Sequence, residues 1–158
     1  MLQSAAMRVA LGADHAGFEL KNALKRVLDE LGVTYDDFGT GSAESVDYPD
    51  YARAVGESVV SGRYDRGILV CGSGIGMSIA ANKIHGVRAA VAIEIESARL
   101  SRAHNDANVI ALGARLTSEA DAAAIVRTFL STEFQGGRHA ERVEKIRGLE
   151  HPNADKSA

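Results

Sequence analysis

Five short apolar runs alternate along this chain with segments of helical periodicity, and that alternation leaves few folds open. Met7 to Ala13, Val33 to Phe38, Gly67 to Cys71, Val87 to Ile93 and Val109 to Leu112 are of strand length and largely apolar. Runs of this kind suit strands covered on both faces. Between them, Phe18 to Leu31 carries apolar residues at 20, 24, 27, 28 and 31, which is helical spacing. Tyr51 to Ser61, Met77 to about Lys83, Ser97 to Asn105 and Ser118 to Leu130 read as further helices, the last with Ser118 as its N-cap. A final helix, Arg138 to Gly148, follows the Gly136-Gly137 break. Strand followed by helix, repeated five times, predicts an α/β fold: a three-layer αβα Rossmann-like sandwich around a five-stranded parallel sheet. The expected strand order is 2-1-3-4-5. Ligands would then bind between strands 1 and 3, where the Asp14-His15 turn and the Cys71 to Gly76 loop converge at the strands' carboxyl ends.

With 158 residues, 46% of them apolar and 25% charged, the chain is sized for one domain with a sizeable core, expected over residues 7–150. Residues 1–6 are expected to be an N-terminal extension and 151–158 a flexible tail. The lone cysteine offers no disulfide framework, and neither a secretion signal nor a membrane span is evident, so a cytoplasmic location is expected. A formal net charge of −3 argues against nucleic acid as the main partner. The five histidines, at 15, 85, 104, 139 and 151, show no paired ligand spacing and there is no second cysteine, so neither a metal nor a cofactor is expected.

The chemistry concentrates in Leu69 to Lys83, LVCGSGIGMSIAANK. Cys71 stands at a strand's carboxyl end, where Gly72, Gly74 and Gly76 leave backbone N–H groups uncovered as a helix begins. Unpaired donors and the helix dipole favour negative charge there, whether on a thiolate or on a ligand. The dinucleotide fingerprint fails because Met77 stands where its third glycine should be, and Lys83 lies too late for a P-loop. A plain structural turn beside a core cysteine stays open as the bland reading. His104, in the polar run Ser101 to Asn108, reads either as a helix C-cap or as a functional imidazole. Arg138 and Arg142, spaced i, i+4 at a helix start, share a face that could grip one anion, with Arg115 as a further cation. A solvated basic face is the alternative.

Taken together, Asp14-His15, Asp47-Tyr48-Pro49, CGSGIGMSIAANK, LSRAHNDANV and GGRHAERV resemble, in order from about Met7 to Glu150, the B-type ribose-5-phosphate isomerases. That superfamily also holds galactose-6-phosphate and allose-6-phosphate isomerases. The resemblance implies aldose-ketose isomerisation of ribose 5-phosphate and ribulose 5-phosphate through an enediolate. Cys71 would be the base, Ser73 would hold the hydroxyl that many relatives supply from threonine, and the loop from Gly72 through Ser73, Gly74 and Ile75 to Gly76 would cradle the enediolate. By the same resemblance His104 opens the furanose ring with Asp14, and Asn105 orients a sugar hydroxyl. His15, Arg115, Arg138 and Arg142 hold the substrate ends, chiefly the phosphate, and Tyr48 lines the pocket. Some relatives replace the cysteine by serine and use a glutamate in the loop's helix; Cys71 and Ile75 set this chain with the cysteine users. The implied partners are a small sugar phosphate and a second copy of the chain, in a homodimer or homotetramer with shared sites. A six-carbon sugar phosphate (allose 6-phosphate or galactose 6-phosphate) is the alternative substrate, and a non-catalytic sugar-phosphate-binding protein the alternative class.

Overall fold

The structure, a computed structural model, describes residues 6–153. The expected extension at 1–5 and the end of the expected tail at 154–158 lie outside the described residues. Five strands, β1 (Arg8–Ala13), β2 (Thr34–Asp37), β3 (Arg66–Cys71), β4 (Ala89–Val91) and β5 (Val109–Gly113), form one parallel sheet. The helices are α1 (Phe18–Glu30), α2 (Tyr48–Val60), α3 (Ile75–Ala81), α4 (Ile95–Ala103), α5 (Glu119–Ser131) and α6 (Arg138–Gly148).

The sheet order is β2-β1-β3-β5-β4, so the expected 2-1-3-4-5 is corrected at its far edge. The reason lies in the lengths and burial of the last two strands. Of the apolar run Val87 to Ile93 only three residues pair, all half-buried, whereas every residue of β5 is buried. The more buried strand takes the central place beside β3, with Gly67 opposite Val109 and Cys71 opposite Gly113. Right-handed crossovers then decide which helix covers which face. The steps β1→β2 and β4→β5 run in one direction across the sheet and put α1 and α4 on one face, where α5 joins them. The steps β2→β3 and β3→β4 run the other way and put α2 and α3 on the opposite face.

Each face has its own core. Val9, Leu11, Ile68, Val70, Ile110 and Leu112 meet Leu24 and Leu28 of α1 and Ile125 and Phe129 of α5. Ala10, Leu69, Cys71, Val109 and Ala111 meet Val55 and Val59 of α2 and Met77 of α3. The period-2 alternation of β3 therefore places the Cys71 side chain on the α2–α3 face, beside Leu69. Full burial of side chains such as Leu24 and Leu28 stabilises the fold by about 1.5–3 kcal/mol apiece. The helix starts also follow local chemistry. Ser118 Oγ accepts the Asp121 N–H at 3.1 Å, as an N-cap should. α2 starts three residues ahead of the expected Tyr51, because Pro49 sits in its first turn, where a proline's missing N–H costs nothing.

Lys21 is fully buried, a feature the apolar periodicity of α1 does not reveal. Its Nζ donates to Asp37 Oδ1 at 2.8 Å and to the Thr40 carbonyl at 2.5 Å, while Lys25 reaches Asp37 Oδ2 at 2.7 Å. The network fixes the loop after β2 against the end of β1, where the Ala13 N–H donates to Gly39 O and the Thr40 N–H to Ala13 O. Burial pushes the Asp37 carboxyl up, but hydrogen bonds from Lys21, Lys25 and the Gly39 N–H outweigh it and hold the group below its ordinary value. A depressed carboxylate stabilises the fold above its unfolded pKa, and that contribution is lost as pH falls through the folded value. Asp37→Asn is therefore expected to be less stable than wild type near pH 7, with the gap narrowing in urea titrations as pH falls below the ordinary carboxylate value of 3.8. A gap of constant size would contradict this account.

Candidate functional site

The carboxyl ends of β1, β3 and β5 open onto a cleft of about 590 Å³ lined by Asp14, His15, Tyr48, Cys71, Ser73 and Arg115 among others. Its floor is the loop between β3 and α3. Cys71 is 4% exposed, and its Sγ accepts the Gly74 N–H at 3.1 Å. Ser73 Oγ accepts the Ile75 N–H at 3.2 Å. Two side chains of the loop thus satisfy the first donors of α3, so the Gly74 N–H faces sulfur rather than open cleft. Gly74 has φ +79°, a left-handed turn that a side chain would strain, and it lies hard against the backbone of β5. Gly76 is required for a different reason: a Cβ there would stand 2.5 Å from Cζ of Tyr48, whose ring leans over the loop.

The neighbouring strand ends bring in the remaining groups. Asp14 is 6% exposed, and its Oδ1 accepts the Gly17 N–H at 3.1 Å. His15 Nδ1 accepts the Val46 N–H at 3.2 Å, which ties the ring to the loop before α2. Beyond β5 the Ala114 and Arg115 N–H groups donate to the Cys71 and Gly72 carbonyls at 2.8 and 3.0 Å, tying that turn to the glycine loop. The Arg115 guanidinium consequently packs on Gly72. Ala16, Ile79 and Leu116 complete the lining and went unnoticed in the sequence. The i, i+4 spacing of the exposed Ile75 and Ile79 was the available signal for an apolar lip.

His104, Asn105, Arg138 and Arg142 lie elsewhere. A helix that follows a parallel strand returns to the amino edge of the sheet, and His104 is the C-cap of α4 just before β5 begins. From the Gly67–Val109 pair to Cys71 is about 13 Å of strand at roughly 3.3 Å per residue. Within one chain, then, His104 does not meet Asp14, nor Arg115 Arg138, so the expected pairing of His104 with Asp14 calls for the second copy of the chain that a shared site implies. The polar run around His104 divides in two. Arg102, 3% exposed, donates to Asp106 Oδ1 at 2.8 Å and to Ala107 O at 2.7 Å. Asn108 bonds the Arg88 N–H and the Gly86 carbonyl, which makes these residues structural. The His104 and Asn105 side chains take no part in that network. Instead His104 stacks on His139 of α6, centroids 4.1 Å apart and planes within 12°. The Gln135 N–H, donating to Ala103 O, helps bring the start of α6 to the same place. Desolvation, together with the charges of His104, Arg138 and Arg142, holds the His139 imidazole below its ordinary range. His104, Arg138 and Arg142 therefore gather around His139 as a second, basic cluster, and Asn105, next in the chain to His104, lines an adjoining cavity with His85 and Glu150.

The family model described as Ribose/Galactose Isomerase matches residues 9–146. This chain belongs to the ribose/galactose isomerase family. Ribose-5-phosphate isomerase B of Escherichia coli strain K12 is 49% identical over 143 residues, covering 90% of this chain and 96% of that protein. D-erythrulose-4-phosphate isomerase of Pectobacterium atrosepticum is 42% identical over 146 residues, covering 92% and 96%. The solved structure of Clostridium thermocellum ribose-5-phosphate isomerase B superposes with a TM-score of 0.91 at 51% identity, covering 94% of this chain and all of that one. As a member of the ribose/galactose isomerase family the chain is a sugar-phosphate isomerase. None of its described helices is long and apolar enough to cross a membrane.

Proposed function

We propose that this isomerase interconverts D-ribose 5-phosphate and D-ribulose 5-phosphate, with Cys71 as the base. The observation that carries the reading is the thiol at the floor of the cleft, its sulfur held by the Gly74 N–H with Asp14 and Ser73 beside it. In the open-chain aldose the Cys71 thiolate removes the proton from C2, and the electron pair forms the C1–C2 double bond as charge moves to O1. Returning the proton from the thiol to C1 while the O2 hydroxyl proton passes to O1 yields the ketose. Ser73 and the loop N–H groups left after Gly74 and Ile75 are satisfied support the developing charge.

Ring opening and phosphate binding are assigned to the second cluster, supplied by another copy of the chain. His104 moves protons between the ring oxygen and the anomeric hydroxyl, Asn105 orients a hydroxyl, and Arg138 and Arg142 take the phosphate, as forked donors on one helix face can. Arg115 and His15 face the other end of the substrate, and Tyr48 closes the side of the cleft. A two-fold pair would bring the carboxyl-edge cleft of one chain to the amino-edge cluster of the other. Exposed Ile75, Ile79 and Leu116 at the lip of the cleft offer an apolar surface for that contact. The reaction needs neither metal nor cofactor in this scheme, and the small anionic substrate fits a cytoplasmic enzyme.

Steady-state rates on four-, five- and six-carbon aldose phosphates, measured side by side, test the substrate. The highest kcat/KM is expected on ribose 5-phosphate. A higher value on allose 6-phosphate or the four-carbon substrate would move the assignment to that sugar, and no turnover of any would leave a sugar-phosphate-binding protein.

A further inference from the structure

At the far end of α6, in a cavity whose wall also includes Asn105, the fold assembles a set of side chains that isomerisation does not use. His85 lies in the turn between α3 and β4, and Glu150 and His151 follow α6, 65 and 66 residues later. Their ligand-type atoms all lie within 4.8 Å of one another, the one group of its kind among the described residues. The His85 and His151 rings meet edge to face, with centroids 5.2 Å apart. Because the pair is remote in sequence, no histidine spacing could disclose it.

We propose that His85, Glu150 and His151 bind a divalent transition-metal ion of the zinc class. Two imidazoles and one carboxylate are a donor set that such ions prefer, and three protein ligands leave a position for water. The carboxylate is already oriented: Glu150 Oε1 accepts the Gly86 N–H at 2.7 Å, which leaves Oε2 to face an ion. A backbone donor on a ligating carboxylate is the usual outer-shell support. That donor is itself fixed, since Gly86 has φ +95° and a Cβ there would press on Val60 at 3.0 Å. Ligands about 2.0–2.1 Å from a tetrahedral ion stand about 3.3 Å apart, so the group must contract by roughly 1.5 Å. Both imidazoles are exposed and can turn to do so. His85 and Glu150 also line a cavity of about 580 Å³, which gives ion and water access.

The position explains what such an ion would accomplish. Val143 is the one buried residue of α6, so the helix is held mainly at its ends. The His104–His139 stack secures the start, and the Glu150–Gly86 bond secures the finish. An ion bound by His85, Glu150 and His151 would staple the finish to the α3–β4 turn.

The test uses tag-free full-length protein titrated with Zn²⁺ by calorimetry, alongside His85→Ala, His151→Ala and Glu150→Gln. The last keeps an acceptor for the Gly86 N–H and so guards against mere loss of structure. One equivalent per chain is expected in wild type, weakened by about tenfold or more in each variant. Free Zn²⁺ at about a hundredfold over its dissociation constant should raise Tm by roughly 5–10 °C in wild type, and by much less in the variants. Co²⁺ should give visible d–d bands without the near-ultraviolet thiolate charge-transfer band that Cys71 would produce. Undiminished binding in the variants, a thiolate band, or no binding by wild type would each overturn the proposal.

Discussion

Cys71→Ala is expected to lose isomerase activity by about 10²–10⁴-fold in kcat, the range that a positioned acid-base group contributes. KM should change little, because the groups assigned to the phosphate are on other elements and keep their places. The substitution is not structurally silent. Cys71 is 4% exposed within the α2–α3 core, and removing its sulfur leaves the Gly74 N–H without the acceptor it has at 3.1 Å. An unpaired buried donor costs about 1–3 kcal/mol, though water entering from the cleft can replace the sulfur. Thermal unfolding separates the two effects: a modest drop in Tm with folded protein and nearly abolished turnover is the expected pair. Near-normal kcat in the folded variant would remove Cys71 from the base role. Cys71→Ser sharpens the comparison. It restores a small acceptor for the Gly74 N–H but supplies a far weaker base, so stability should recover while activity does not.

The same loop shows what a sequence can and cannot disclose. The apolar run ending at Cys71, the glycines after it and the failure of the nucleotide motifs at Met77 are local facts, and the structure places them at a strand end over a cleft. Strand order is not local. Neighbours in sequence are neighbours in a sheet roughly two times in three, and Val87 to Ile93 looked as strong as Val109 to Leu112. Only packing distinguishes them: Val87 turns into the core beneath α2 and α3 before pairing begins, and β4 retains just three paired residues. Lys21 was hidden for a similar reason. A lysine in an amphipathic helix reads as solvent-facing, and its burial depends on Asp37 and Thr40 meeting it from another element. The placement of His104 was recoverable in principle, since any helix that follows a parallel strand ends at the amino edge. The family resemblance grouped it with Asp14, and topology separates the two within one chain by the length of a strand.

That separation gives the second large effect. His104→Ala is expected to be nearly inactive on the closed furanose, as Cys71→Ala is on either form, yet the two defects should complement. In a two-fold pair built from one chain of each kind, one site receives both substitutions and the other receives neither. Heterodimers isolated through two different tags should therefore regain about half of the wild-type activity, while each homodimer stays near zero. The stacking of His104 on His139 predicts that the recovered half depends on an undisturbed α6 in the Cys71→Ala chain, which supplies the working imidazole. Adding Arg138→Ala to that chain should raise KM of the surviving site, whereas adding it to the His104→Ala chain should leave that site unchanged. Heterodimers as inactive as their parents would mean that Cys71 and His104 serve one site from the same chain or do not act together. The first of these conflicts with their positions at opposite edges of the sheet, so inactivity would count chiefly against the role of His104.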